Sequence, residues 1–251
     1  MSASQTPPAW RLEAEALDRG EIPERYRRNM ASLDAAAQAR LLRSRVVLAG
    51  LGGLGGQVLE SLARAGVGRI TGCDGDRFEA SNANRQLLAV TDTLGRSKAG
   101  AARERVAAVN PSVEFRAVDR FLDRDGFLEL LRDADLAVDA LGGLDDRPAL
   151  ECAAAEAGVP MVSAVVAGWS GAVATVLPGR AGPGSLLAGG AAHAGMSPED
   201  ILGTPGPTVH LAASLQCAEA LRLLAGQPPA LDGKILFFDL ADMTFETVTL
   251  D

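Results

Sequence analysis

Arg45-Val46-Val47-Leu48-Ala49-Gly50-Leu51-Gly52-Gly53-Leu54-Gly55-Gly56 is an apolar, β-type run that breaks into a Gly-x-Gly-x-x-Gly turn. The spacing of Val58, Leu59, Leu62 and Ala63 then shifts the apolar period to that of a helix, and Asp74 ends the next apolar run. Strand, glycine turn, helix, strand and acid in this order form a holder for a nucleotide. Glycines let the backbone approach a phosphate, the helix N-terminus aims N–H groups at it, and the acid accepts from ribose hydroxyls. Asp74 follows Gly50 at close to the roughly 20-residue spacing of a dinucleotide site, so a nicotinamide- or flavin-dependent oxidoreductase is one reading.

Outward from this unit, strands are predicted at 45–50, 69–74, 113–118, 135–141 and 160–166. Helical patterns lie between them at 55–65, 95–109, 124–132 and 146–157. Such alternation implies a parallel sheet covered by helices on both faces. A further strand is predicted at 171–177, a helix at 208–225 stopped by Gly226 and Pro228-Pro229, and an antiparallel strand pair at 234–240 and 244–249. Residues 30–43 read as a helix leading into the first strand. Residues 1–22 read as a polar leader with a short helix near Leu12–Leu17. The Gly/Pro/Ala-rich stretch 178–207 reads as a flexible crossover loop. The expectation is an α/β, Rossmann-like three-layer domain over 23–251, with a mostly parallel sheet and a C-terminal antiparallel strand extension.

A formal charge of −8 over 251 residues argues against a general nucleic-acid binder, whose footprint is basic. Arginine is nonetheless dense near the start, at Arg25, Arg27, Arg28, Arg40, Arg43 and Arg45. Cys73, Cys152 and Cys217 are widely spaced and form no CxxC, so neither a thiolate zinc site nor a disulfide framework is expected. Each is read as inert packing. His193 and His210 have no partner spacing and receive no role. There is no apolar stretch of membrane-spanning length and no signal-peptide pattern, and a cytoplasmic protein is expected.

Beyond Asp74 the sequence departs from an oxidoreductase. Asp74-Gly75-Asp76 is followed by Ser81-Asn82-Ala83-Asn84-Arg85-Gln86 and then Gly95-Arg96-Ser97-Lys98 opening a helix. With Arg25–Arg28, Asn110-Pro111 and Ala212–Gln216 followed by Glu219-Ala220, this order resembles the ThiF/MoeB/HesA family, bacterial relatives of ubiquitin-activating enzymes. The resemblance spans roughly residues 24–250. It implies ATP and Mg²⁺ as cofactors and, as partner, a small ubiquitin-like sulfur-carrier protein ending in Gly-Gly, whose C-terminal carboxylate is adenylated. It also implies a homodimer. By resemblance the glycine loop (Gly50, Gly52, Gly53 and Gly55) packs on the nucleotide. Asp74 accepts from ribose, with Asp76 beside it, and Asn82, Arg85 and Lys98 contact phosphates. Arg28 reaches in from the partner subunit. These residue types suit the task, since an arginine fork matches phosphate oxygens and lysine is a compact point charge. Taken singly, Arg28, Arg85 and Lys98 read as solvated surface charges, and Asp74 as a turn cap. Their joint order carries the assignment.

The sequence departs from the family at two places. The family's Asp-x-x-Asp-Asn cluster after the fourth strand, whose second acid holds Mg²⁺, reads here as Asp139-Ala140-Leu141-Gly142-Gly143, with Gly142 on the metal-binding position. Three arrangements fit. Asp139 or Asp76 contacts the metal, Asp145 or Asp146 reaches back from the following helix start, or adenylation is weak or absent and the chain only binds carrier or nucleotide. The paired acids also suit a helix N-terminus without any metal role, which is the favoured reading of them. Secondly, the two CxxC pairs and the crossover-loop cysteine of many relatives are missing, so no zinc and no thioester step are expected. A tRNA-modifying relative is a further possibility that the acidic balance disfavours.

Overall fold

A computed structural model describes residues 7–180, 182 and 198–250. Its centre is the quoted run. In β1 (Arg45–Ala49), Val46 and Leu48 face one side of the sheet and Val47 and Ala49 the other, and all four are buried. Only a strand covered on both faces buries every position of such a run.

The sheet has eight strands in the order β3-β2-β1-β4-β5-β6-β7-β8. Beside β1 run β2 (Arg69–Cys73), β3 (Glu114–Val118), β4 (Leu136–Asp139) and β5 (Met161–Ala167), and these five are mutually parallel. Then β6 (Ser170–Val176), β7 (Lys234–Asp239) and β8 (Thr244–Thr249) continue as an antiparallel meander. The expected three-layer architecture and its antiparallel extension are both present.

One face of the sheet is covered by α2 (Ala35–Arg43), α3 (Gly53–Ala65), α4 (Lys98–Val109) and α8 (Gly206–Leu224). The other face is covered by α5 (Arg124–Leu131) and α6 (Arg147–Ala157), which bury Phe127, Leu131, Leu150 and Ala154. The chain leaves β1 toward β2 and β3, then returns across to β4. A crevice therefore opens between the C-terminal ends of β1 and β4, where open α/β sheets bind ligands.

Helix starts follow their caps rather than their apolar patterns. The helix expected from residue 30 begins at Ala35, because the Asp34 carboxylate accepts from Ala37 N at 2.7 Å. The one expected from 95 begins at Lys98, where Ser97 Oγ accepts from Gly100 N. Within the segment read as a leader, α1 (Ala9–Asp18) is a docked helix. It buries Ala14 and Leu17 against α2 and against Tyr26 of a 3₁₀ turn, Glu24–Asn29. Most of the expected crossover loop lies outside the described residues. Its described end carries a one-turn helix, α7 (Pro198–Leu202).

Candidate active site

The glycine turn is built by close approach. Gly50 has φ +89°, and a Cβ there would lie 2.4 Å from the Ala140 carbonyl oxygen on the turn after β4. A Cβ on Gly55 would lie 1.9 Å from the Gly50 carbonyl oxygen. Gly55 therefore closes helix onto turn, and it is absent from the cavity lining. Gly50, Gly52, Gly53 and Leu54 do line the cavity, so the free N-terminal N–H groups of α3 face whatever binds there.

Asp74 ends β2 at the cavity. Its Oδ2 accepts from Leu51 N at 2.8 Å and its Oδ1 from Asp76 N at 2.9 Å, which fixes the carboxylate while leaving lone pairs on both oxygens. Asp76 accepts from Lys98 Nζ at 3.0 Å; the Lys98 side chain is only 9% exposed, while Asp76 is half open to solvent. A buried ammonium paired on one side and facing a cavity on the other is a preset anion site. Arg85 Nη1 donates to Ser81 O at 3.0 Å and to Asn84 Oδ1 at 2.8 Å, and Arg85 also lines the cavity.

Gly50, Gly52, Gly53, Asp74, Asp76, Arg85 and Lys98 are therefore brought together. Four expected site residues are not. Besides Gly55, Asn82 lies off the cavity lining, and its Oδ1 accepts from Glu79 N at 3.1 Å to hold a 3₁₀ turn.

Arg28 is exposed on the 3₁₀ turn whose Tyr26 packs on Gly66, at the C-terminal end of α3. The cavity lies at the other end of this 13-residue helix, about 20 Å away and beyond the reach of an arginine side chain.

Asp139 is the fourth, and it too lies off the cavity lining. Asp139 is 1% exposed, with its Oδ2 held by Arg147 Nη1 at 2.6 Å and by Ser163 Oγ at 2.6 Å. Its Oδ1 accepts from Leu141 N. Arg147, equally buried, also donates to the carbonyls of Gly143 and Leu141. The pair is internal bracing beneath the turn 140–146.

Residues to which sequence reading assigned no role also line the cavity. Gln86 is buried, and its Oε1 has no hydrogen-bond partner. Arg120 and Phe121 follow β3, and Phe121 packs so closely on Gly75 that a Cβ there would lie 2.7 Å from its ring and its backbone nitrogen. The signal was available, because β3 neighbours β2 and its C-terminal end must open on the same crevice. Glu199 and Thr204 enter from the far end of the crossover segment, which no local pattern could place. Gly142 and Asp146 line the cavity, and Asp145 does not.

The cysteines stand apart from this site, except that Cys73 touches its floor. Burial pushes the thiols of Cys73 and Cys217 up to about 12, which suits packing rather than nucleophilic chemistry. Cys152 is exposed on α6. Among the described residues no helix is long and apolar enough to cross a membrane.

The family model described as the ThiF family matches residues 26–251. The chain belongs to the ThiF family. It is 35% identical over 244 residues to the SAMP-activating enzyme E1 of Haloferax volcanii, covering 94% of this chain and 86% of that protein. It is 36% identical to a sulfur carrier protein adenylyltransferase of Thermus thermophilus, covering 90% and 87%. The molybdopterin-synthase adenylyltransferase of Escherichia coli is 32% identical, over 90% and 92%. Among solved structures, E. coli MccB with ATP superposes with a TM-score of 0.80 at 19% identity, covering 93% of this chain and 73% of that one, a likeness of fold. Membership places this ThiF-family chain among the E1-like nucleotidyltransferases, as the motif order implied.

Proposed function

We propose that the protein adenylates the C-terminal glycine carboxylate of a small ubiquitin-like sulfur carrier, using ATP. The observation that carries this reading is the buried Lys98, paired with Asp76, in one cavity with the Gly50–Gly53 turn and Asp74. A carboxylate oxygen of the carrier attacks the α-phosphorus and the bond from that phosphorus to the bridging oxygen breaks. Pyrophosphate leaves with the electron pair, and an acyl-adenylate remains. Attacker and target are both anionic, so the reaction needs fixed positive charge and in-line placement. Lys98 and Arg85 supply the charge, the α3 N-terminus adds its N–H groups, and Asp74 anchors the ribose. Arg120 and Phe121 wall the end of the cavity where β3 stops.

Mg²⁺, when bound, neutralises part of the triphosphate charge. The cavity lining fits it, with the carboxylates of Asp146 and Glu199, neither of them paired among the described residues. No group of three or more His, Cys, Asp or Glu is gathered for a metal among the described residues, but Mg²⁺ beside phosphates needs only one or two carboxylates. The open Gly142 position favours a second reading, a binding protein without turnover. ATP binding with no exchange of pyrophosphate across a panel of Gly-Gly carriers would support that instead.

Arg28, exposed and distant from its own cavity, is proposed to complete the site of a second copy in a homodimer. Arg28→Ala and Lys98→Ala proteins should each be nearly inactive in carrier-dependent ATP–pyrophosphate exchange. Mixed in equal amounts and allowed to re-equilibrate, they should recover about a quarter of wild-type activity, because half of the dimers are mixed and each has one intact site. Recovery of nothing would show that Arg28 does not complete a partner's site.

A further inference from the structure

Six arginines lie between residues 25 and 45, and five of them are engaged within the chain. Arg25 donates to Asn110 Oδ1 and pairs with Glu13, Arg27 pairs with Glu24, Arg43 with Asp18 and Arg45 with Asp133. Arg40 donates to the Ala225 carbonyl. Arg28 is exposed and has no hydrogen bond or ion pair among the described residues. The backbone that carries this free cation is nonetheless tied down on both sides. Before it, Tyr26 is fully buried with its ring against Gly66, and its OH accepts from Asn110 Nδ2 at 3.1 Å. After it, Asn29 Nδ2 donates to Gln38 Oε1 at 2.9 Å, and Gln38 in turn donates to the Ala65 carbonyl at the end of α3. A pinned backbone under an unpaired arginine lowers the entropy lost when that side chain is placed on an anion.

One of these ties comes from outside the nucleotide-binding body. Glu13 stands on α1, with its side chain 18% exposed. Its carboxylate accepts from Tyr26 OH at 2.9 Å and from Ser112 Oγ at 2.8 Å, and lies 3.5 Å from Arg25 Nε. Among the described residues no other group accepts from the Tyr26 hydroxyl and no other acid pairs with Arg25. Hydrogen bonds to an ionised carboxylate are the stronger kind, and a hydroxyl buried without its acceptor is costly. Removing Glu13 therefore loosens two successive residues, Arg25 and Tyr26, at the base of the turn that presents Arg28.

We propose that Glu13 is a positioning residue for the adenylation reaction: through Tyr26 and Arg25 it sets the turn from which Arg28 reaches the cavity of a second copy. This rests on the homodimer reading of Arg28. In a mixture of Arg28→Ala and Lys98→Ala proteins, the working site of each mixed dimer joins the cavity of the Arg28→Ala copy to the turn of the Lys98→Ala copy. Glu13→Ala is added to one copy at a time, and carrier-dependent ATP–pyrophosphate exchange is measured. On the Lys98→Ala copy, whose turn serves the working site, it should lower the recovered activity by about tenfold or more, the scale of a misplaced reacting group. On the Arg28→Ala copy, whose turn serves only the dead site, recovery should stay at about a quarter of wild type. Glu13→Gln still accepts from Tyr26 OH and should lose less in the first placement. Equal loss in both placements would make Glu13 a brace of the fold, and no loss in either would detach it from the reaction. Either result overturns the proposal while the parent mixture still recovers. A parent mixture that recovers nothing beside an active wild type overturns the Arg28 reading and the proposal with it. An inactive wild type overturns the adenylation reading itself.

Discussion

Replacing Lys98 with methionine should lower the maximal rate of carrier-dependent ATP–pyrophosphate exchange by about 10²–10³-fold, the usual scale for removing one preset donor from a developing anion. Methionine keeps most of the buried stem and deletes the charge, so the loss reports electrostatics rather than packing. The effect should fall on the rate more than on the Michaelis constant for ATP, because a charge aimed at the transferring phosphoryl group counts most in the transition state. Lys98→Arg should not rescue it. The side chain is nine-tenths buried against Asp76, and a planar guanidinium does not fit the place of a compact ammonium. A Lys98→Met enzyme within twofold of wild type would remove Lys98 from the site.

Asp139→Ala should act on stability instead. It leaves the Arg147 guanidinium buried with no counter-charge, which costs about 3–5 kcal/mol. In a protein of this size such a loss lowers the melting temperature by roughly 10 °C or more. Urea titration read by circular dichroism measures it. Substituting both partners with apolar residues of similar volume should recover much of the loss, because no charge is then stranded. The folded fraction of Asp139→Ala should still bind nucleotide with near-normal affinity. Unchanged unfolding free energy combined with lost exchange would return Asp139 to the chemistry.

The contrast between Lys98 and Asp139 shows what could be read from the chain. Both stand at positions that the family resemblance marks. Sequence order places each at the C-terminal end of the sheet, but not the direction in which its side chain turns. Asp139 turns under the sheet because Arg147, eight residues on, and Ser163 on the neighbouring strand take its oxygens. Asn110 and Gln216 behave likewise. Asn110 Nδ2 donates to Tyr26 OH and to Ala63 O, tying the N-terminal turn to α3. Gln216 Nε2 donates to the carbonyls of Asp139 and Val162, clipping α8 to β4 and β5. Several residues that carry the family resemblance therefore hold the fold rather than the substrate.

The strands and their parallel order were legible because apolar runs, glycine turns and helical periods alternate without interruption over 45–167. Element starts were less so, since Asp34 and Ser97 set them by single side-chain caps. Of the residues at the cavity, Gly50, Gly52, Gly53 and Asp74 belong to the strand–glycine turn–helix–strand–acid pattern, and Asp76, Arg85 and Lys98 were marked by the family resemblance. Arg120, Phe121, Glu199 and Thr204 reach it through the tertiary path of the chain, which leaves no periodic signal in one sequence.

The most direct test of the central claim is ATP–pyrophosphate exchange by the purified full-length protein with Mg²⁺ and candidate carriers. Exchange should require a carrier ending in Gly-Gly, disappear when that terminus is removed or amidated, and be suppressed in Lys98→Met. Tight ATP binding with no exchange on any such carrier, or exchange indifferent to the carrier terminus, would contradict it.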